Sequence, residues 1–128
     1  MSVDHLKEGA GRTILVIDDE AAVRNVTRTL LERAGYAVLT AANGAEGIAV
    51  FSAESSRVDL VLLDLTMPQM TGKQVLAELR RIRPDIRVLL ASGYTQADSV
   101  PTDARVTGFL NKPFRFDELL RSIRAALS

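Results

Sequence analysis

Leu60-Val61-Leu62-Leu63-Asp64 is the stretch from which the rest of the chain is read. Four consecutive apolar residues run into a carboxylate, and Leu65-Thr66-Met67-Pro68 ends the run at once. A short apolar run bounded by turn chemistry predicts a strand covered on both faces. Such a strand stops at the rim of its sheet, so Asp64 is delivered to the edge of the core. A charge held there needs a partner or a task.

Thr13-Ile14-Leu15-Val16-Ile17 repeats the pattern and ends in Asp18-Asp19-Glu20. Three more strands are predicted, over 36–41, over 86–91 stopping at Ser92-Gly93, and over 107–111 closed by Lys112-Pro113. Helical spacing fills the gaps. Val23, Val26, Leu30, Leu31 and Ala34 fall on one face, with Gly35 fitting the stop position. Asn43-Gly44 marks the start of a helix through Ile48, Val50 and Phe51. A helix over about 73–83 turns Val75, Leu76, Leu79 and Ile82 inward until Pro84 ends it. The last helix aligns Phe116, Leu119, Leu120, Ile123 and Leu127. Between 94 and 106 the pattern is irregular, and Pro101 leaves room only for a short helix. Strands alternating with helices imply a parallel sheet covered on both faces, joined by right-handed crossovers.

The fold class expected is therefore α/β, and the arrangement taken for it is the flavodoxin-like, doubly wound, five-stranded parallel sheet in the order 2-1-3-4-5. The expected arrangement is (βα)5 with a short or irregular fourth helix. Residues 1–12 are polar and contain glycine, and they read as a loose tail ahead of one domain over 13–128. His5, the single histidine, lies in that tail, and a histidine without neighbours makes no metal site.

Composition excludes several classes of function. A chain of 128 residues with 47% hydrophobic and 25% charged residues suits one ordinary globular domain. The absence of cysteine removes disulfides, thiol catalysis and cysteine-based zinc sites. Sixteen basic residues balance sixteen acidic ones, which advertises neither nucleic acid nor an anionic membrane. No apolar run approaches the ~20 residues of a membrane span, and the first twelve residues lack the apolar core of a signal peptide. The expected location is cytoplasmic, with no direct nucleic-acid or membrane contact by this domain.

Sites in an open parallel sheet form beyond the carboxyl ends of its strands. There the sequence delivers Asp18 and Asp19 from strand one, Asp64 from strand three, Ser92 from strand four and Lys112 from strand five. In the order 2-1-3-4-5 the first and third strands are neighbours, so three carboxylates converge. Two unit charges about 4 Å apart cost on the order of 4 kcal/mol at an effective dielectric near 20. Either a proton or a cation relieves them, and oxygen ligands with room for water suit Mg2+. A hard cation, a lysine and a hydroxyl together suit a phosphoryl group, with Asp64 as the nucleophile of an acyl phosphate. Each feature also has a plainer reading: Asp18-Asp19-Glu20 could cap a helix, and Ser92-Gly93 could be a simple turn. The functional reading rests on their placement along one edge of one sheet.

At this point the sequence resembles the receiver domain of two-component response regulators. The stretches that carry the resemblance are Ile14-Leu15-Val16-Ile17-Asp18-Asp19-Glu20, Asp64-Leu65-Thr66-Met67-Pro68 with Gly72, Ala91-Ser92-Gly93-Tyr94 and Gly108-Phe109-Leu110-Asn111-Lys112-Pro113-Phe114. They span the chain from about Arg12 to its end. The resemblance implies that Asp64 accepts a phosphoryl group from a histidine of a sensor kinase or phosphotransfer protein. It implies Mg2+ (or Mn2+) on Asp19, Asp64 and the backbone carbonyl of Thr66, with Asp18 reaching the ion through water. It implies that Lys112 pairs with the phosphoryl oxygens and that Ser92 reorients toward them. Phe109 stands at the family's aromatic rotamer switch, although a phenylalanine on a strand also reads as packed core. Thr66 and Tyr94 stand where the family tunes hydrolysis of the acyl phosphate, and the Lys112-Pro113 bond is expected to be cis.

The implied protein is a regulatory phosphoacceptor, with self-catalysed phosphorylation and dephosphorylation, that switches its affinity for a downstream effector. Ser92-Gly93-Tyr94 with a short fourth-helix region also resembles receivers appended to hybrid sensor histidine kinases. Two rival readings stand beside this one. Phosphatases of the aspartyl-phosphate type place two aspartates one residue apart after the first strand, whereas Asp18 and Asp19 are adjacent. A flavin or nucleotide binder needs a Gly-rich or Ser/Thr-rich loop there, and Asp18-Asp19-Glu20 is acidic.

Overall fold

The two most apolar stretches of the chain become two adjacent inner strands of its sheet. Strand β1 (Thr13–Ile17) and strand β3 (Leu60–Asp64) are buried along their whole length, as continuous apolar runs require. They lie side by side in a computed structural model that describes residues 11–65, 71–92 and 106–127. Strands β2 (Ala37–Ala41), β4 (Arg87–Ser92) and β5 (Val106–Asn111) complete a parallel sheet in the order β2-β1-β3-β4-β5. This is the expected order. The edge strand β2 carries the mixed sequence Ala-Val-Leu-Thr-Ala and is correspondingly half-exposed.

Alternation along the central strands divides the core into two layers. Leu15, Ile17, Val61 and Leu63 face one side, where Phe51, Val75, Leu76 and Leu79 cover them. Those residues come from helices α2 (Gly44–Glu54) and α3 (Gly72–Ile82). Ile14, Val16, Leu60 and Leu62 face the other side, beneath Leu31, Leu119, Ile123 and Ala126. These belong to α1 (Ala21–Arg33) and α4 (Phe116–Leu127). Burying each such large apolar side chain contributes about 1.5–3 kcal/mol.

The helix ends follow local chemistry. Gly35 takes φ 98°, as the stop after α1 demands. Asn43 Oδ1 accepts the Glu46 amide at 2.8 Å and starts α2. Thr71 and Gln74 form a reciprocal capping box that starts α3, a Thr-x-x-Gln signal that the periodicity alone did not locate. Gly47 lets α2 approach β1 so closely that a Cβ would lie 2.5 Å from Ile17 Cδ1.

Three expectations need revision. Val26 does not join the buried face of α1; it is 58% exposed, and Thr27 is buried in its place. Phe116 is likewise exposed at the start of α4. Arg12, read as part of the tail, is tied to the fold: its carbonyl accepts the Ala37 amide at 3.0 Å. Its guanidinium donates to the Leu127 carbonyl at 3.2 Å, near the end of α4. The tail over 1–10, Pro101 and the fourth-helix region over 93–105 lie outside the described residues.

Candidate functional site

The register of the sheet assembles the site. The last paired residues of β1 and β3 are Ile17 and Leu63, and one step beyond them come Asp18 and Asp64. Each is in phase with the α1/α4 layer, since Val16 and Leu62 lie two residues back. Asp19 follows on the loop to α1 and is exposed, whereas Asp18 and Asp64 are buried. One carboxylate oxygen from each of the three lies within 4.8 Å of the others. At the end of β5, Lys112 sends its ammonium into the cluster. Lys112 Nζ donates to Asp18 Oδ2 at 2.9 Å and to Asp64 Oδ2 at 3.3 Å. Glu20 Oε1 lies 3.6 Å from the same nitrogen.

Asp64 is 1% exposed and the Lys112 side chain 11% exposed, so these charges interact with little screening from water. Burial raises the Asp18 carboxyl above its usual range, against hydrogen bonds from Lys112 and the Glu20 amide that lower it. Burial alone would lower Lys112. The hydrogen bond to Asp18 and the charge of Asp64 reverse this, and its pKa is raised. The ammonium is thus a stand-in cation for a set of hard oxygen donors. That set, two buried carboxylates and one exposed, fits a small divalent ion such as Mg2+.

Ser92 ends β4 and is buried, and its carbonyl accepts the Lys112 amide at 2.7 Å. The Leu65 amide donates to the Ala91 carbonyl at 2.8 Å, so the residue after Asp64 is anchored to β4. Phe109 is paired in register with Leu90 and packs, half-buried, against the α2/α3 layer. Lys112, Asp18 and Asp64 are in phase with the opposite layer. Asp18, Asp19, Asp64 and Lys112 are brought together, Ser92 adjoins them, and Phe109 sits on the other face. Thr66 and Tyr94 lie outside the described residues. The Lys112-Pro113 bond is cis.

Two neighbours of the site were not singled out from sequence. Arg24 Nη1 donates to the Asp18 carbonyl at 2.8 Å. An arginine one turn into a helix reads as a solvated charge, and no local signal distinguishes it. A groove of about 540 Å3 opens between α1 and the start of α4, lined by Val23, Val26, Pro113, Phe114 and Phe116 and bordered by Glu20 and Lys112. Val26 and Phe116, which helical spacing assigned to inward faces, line it instead.

Comparison with known proteins points the same way. Residues 14–124 match the family model described as "Response regulator receiver domain". The chain is 38% identical over 118 residues to the sensor kinase CckA of Brucella abortus, which covers 90% of this chain and 12% of the kinase. It spans between 26% and 50% of the length of the transcriptional regulators it also matches. Among solved structures, a response regulator receiver domain protein from Clostridium thermocellum superposes with a TM-score of 0.84 and 31% identity. That match covers 91% of this chain and 94% of the other. The response regulator TrrA of Thermotoga maritima, solved with Mg(2+)-BeF, matches with a TM-score of 0.77 and 34% identity, covering 91% and 99%. TrrA has also been solved in complex with the histidine kinase ThkA.

Proposed function

The chain belongs to the response regulator receiver domain family of two-component systems, and from that premise we propose that Asp64 is its phosphoacceptor. The observation that carries the proposal is the placement of Asp64. It is held by the core at the end of β3, inside a three-carboxylate cluster, with the Lys112 ammonium 3.3 Å away. A carboxylate oxygen of Asp64 attacks the phosphorus of a phosphohistidine. The P–O bond forms as the P–N bond breaks, and the departing imidazole takes up a proton. The product is an acyl phosphate. A Mg2+ (or Mn2+) held by Asp18, Asp19, Asp64 and the Thr66 carbonyl would supply charge neutralisation for the phosphoryl oxygens.

Lys112 then exchanges its bonds to Asp18 and Asp64 for the phosphoryl group, and Ser92 turns its hydroxyl toward the same group. About two negative charges are added where Asp64 had one. Phe109, packed on the far layer beside Leu90, reports the shift of Ser92 to the surface near β5. A downstream effector reads that surface as a population shift between two states. Attack of water on the phosphorus, catalysed by the domain's own residues and tuned by Thr66 and Tyr94, breaks the acyl P–O bond and releases inorganic phosphate, returning free Asp64. The phosphodonor is a histidine of a sensor kinase or phosphotransfer protein. The apolar groove of Val23, Val26, Phe114 and Phe116 beside Lys112 would seat the donor's histidine-bearing helix. The likeness to CckA, of which this chain would be 12%, supports an alternative origin as the receiver of a hybrid kinase. The site chemistry is the same in either setting, and the domain works in the cytoplasm with that donor.

Incubation with acetyl phosphate or phosphoramidate and Mg2+, followed by intact mass measurement, tests the proposal. A labile phosphate adduct that disappears in Asp64→Ala is expected. No adduct, or one that survives Asp64→Ala, removes Asp64 from its role. Rapid turnover of a generic phosphomonoester would point instead to the aspartyl-phosphate phosphatases.

A further inference from the structure

We infer that Arg24 is a positioning residue for the cation site, holding the Asp18–Asp19 peptide group in the orientation that aims the Asp19 carboxylate. The inference rests on the proposed cation site and adds a residue to it. Asp18 is tied through four polar groups. Its amide donates to the Ala41 carbonyl at 3.1 Å, and its carbonyl accepts from Arg24 Nη1 at 2.8 Å. Its Oδ1 accepts the Glu20 amide at 3.0 Å, and its Oδ2 accepts from Lys112. Asp19 is exposed, and no side-chain hydrogen bond or ion pair holds it among the described residues. Its carboxylate is therefore aimed by the backbone.

A peptide unit is planar, so fixing the Asp18 carbonyl also fixes the nitrogen and Cα of Asp19. The Arg24 guanidinium is the group that fixes it. Arg24 is well placed to do so because its own amide donates to the Glu20 carbonyl at 2.9 Å, in the first turn of α1. That turn has no side-chain cap: Glu20 stands at the N-cap position and makes no capping hydrogen bond. The loop that carries two of the three carboxylates is thus fastened to α1 by the half-buried Arg24 side chain and by one backbone bond.

A guanidinium beside a cation site has two opposite effects, which makes the inference testable. As a positive charge it opposes a divalent ion, so its removal alone would tighten binding. As a clamp it preorganises the ligand, so its removal loosens binding. The experiment is a titration with Mn2+ alone, read by the electron paramagnetic resonance of the free ion, on wild type and on Arg24→Met, Arg24→Gln and Arg24→Lys. Groups that orient metal ligands typically change affinity by about 10–100-fold. Acting through one backbone carbonyl, Arg24 is expected at the lower end. Mn2+ affinity falls about tenfold in R24M and R24Q, while R24K, which keeps a donor, stays within about threefold of wild type. Melting temperatures stay within about 5 °C.

Phosphorylation by acetyl phosphate then needs more metal for half-maximal rate but reaches the wild-type maximum. Unchanged or tighter Mn2+ binding in R24M and R24Q overturns the inference. So does a large fall in melting temperature in both, because the guanidinium would then be holding the helix and not the ligand. Wild type that does not bind Mn2+, or Asp19→Asn that binds it as wild type does, overturns the cation site itself and is distinguishable from failure of the Arg24 variants alone.

Discussion

Replacing Lys112 by methionine keeps the apolar stem and removes the charge that two buried carboxylates share. At an effective dielectric near 20, a pair 2.9 Å apart is worth about 6 kcal/mol, and one at 3.3 Å roughly 5 kcal/mol. Neither figure passes directly into stability, because burying the ammonium costs several kcal/mol of hydration. Removing one partner from such a pair typically costs about 3–5 kcal/mol. Protonation sets a ceiling. An aspartate with the usual pKa of 3.8 takes a proton at pH 7 at a cost of about 4 kcal/mol, and Asp18 is already raised by burial. Lys112→Met is therefore expected to lose about 2–4 kcal/mol at pH 7 without divalent cation, or about 1–2 M in urea midpoint.

The deficit has a direction in pH. As pH falls, the Asp18 carboxyl, already raised by burial, takes up a proton and its repulsion with Asp64 is relieved, so the variant's deficit is smaller at pH 4.5 than at pH 7. Added Mg2+ restores part of the loss at pH 7 by supplying the missing charge. Urea unfolding at the two pH values, with and without Mg2+, checks all three points. A variant as stable as wild type at pH 7, or a deficit equal at both pH values, would refute the account of the cluster.

Other outcomes follow from the same geometry. Alkaline unfolding tests the sign for Lys112: its raised pKa means that stability is intact below the unfolded value of 10.5 and is lost as pH rises through the folded value. That extra alkaline loss should be absent from Lys112→Met. Asp59→Ala should cost about 1–2 kcal/mol in urea unfolding. Asp59 Oδ2 accepts the Thr13 amide at 2.7 Å while its own amide donates to the Thr13 carbonyl at 2.8 Å, clasping the starts of β1 and β3. Gly72→Ala places a methyl group against Leu65 Cδ2, the flexible end of the side chain next to Asp64. A loss of about 1 kcal/mol is expected, together with slower phosphorylation by acetyl phosphate.

Much of the fold was legible because its signals are local. Thr13 to Ile17 and Leu60 to Leu63 are apolar without interruption, and only a strand covered on both faces accommodates that. Gly35 and Asn43 announced the end of α1 and the start of α2 through backbone chemistry that spans a few residues. Val26 misled because helical spacing predicts a face but not how far the neighbouring helix extends over it. Here α4 leaves Val26 beside an open groove, and Thr27 takes the inward position. Thr71 was missed as a cap because its partner Gln74 makes the signal only as a pair.

The amino-acid sequence alone determined which residues lie at the strand ends: Asp18, Asp64 and Ser92 each follow an apolar run, Lys112 comes just after the last strand, and hydrophobic burial places such ends at the rim of the core. Tertiary structure decided what those residues do to one another. The contact of Lys112 with Asp18 joins positions 94 residues apart, and it exists because β1 lies beside β3 while β5 closes the far edge. The Arg24 bond to the Asp18 carbonyl, though only six residues apart in sequence, forms only because α1 starts directly after the end of β1. The Lys112 contact has no local signature, because hydrogen bonds between distant segments depend on packing that no short stretch encodes.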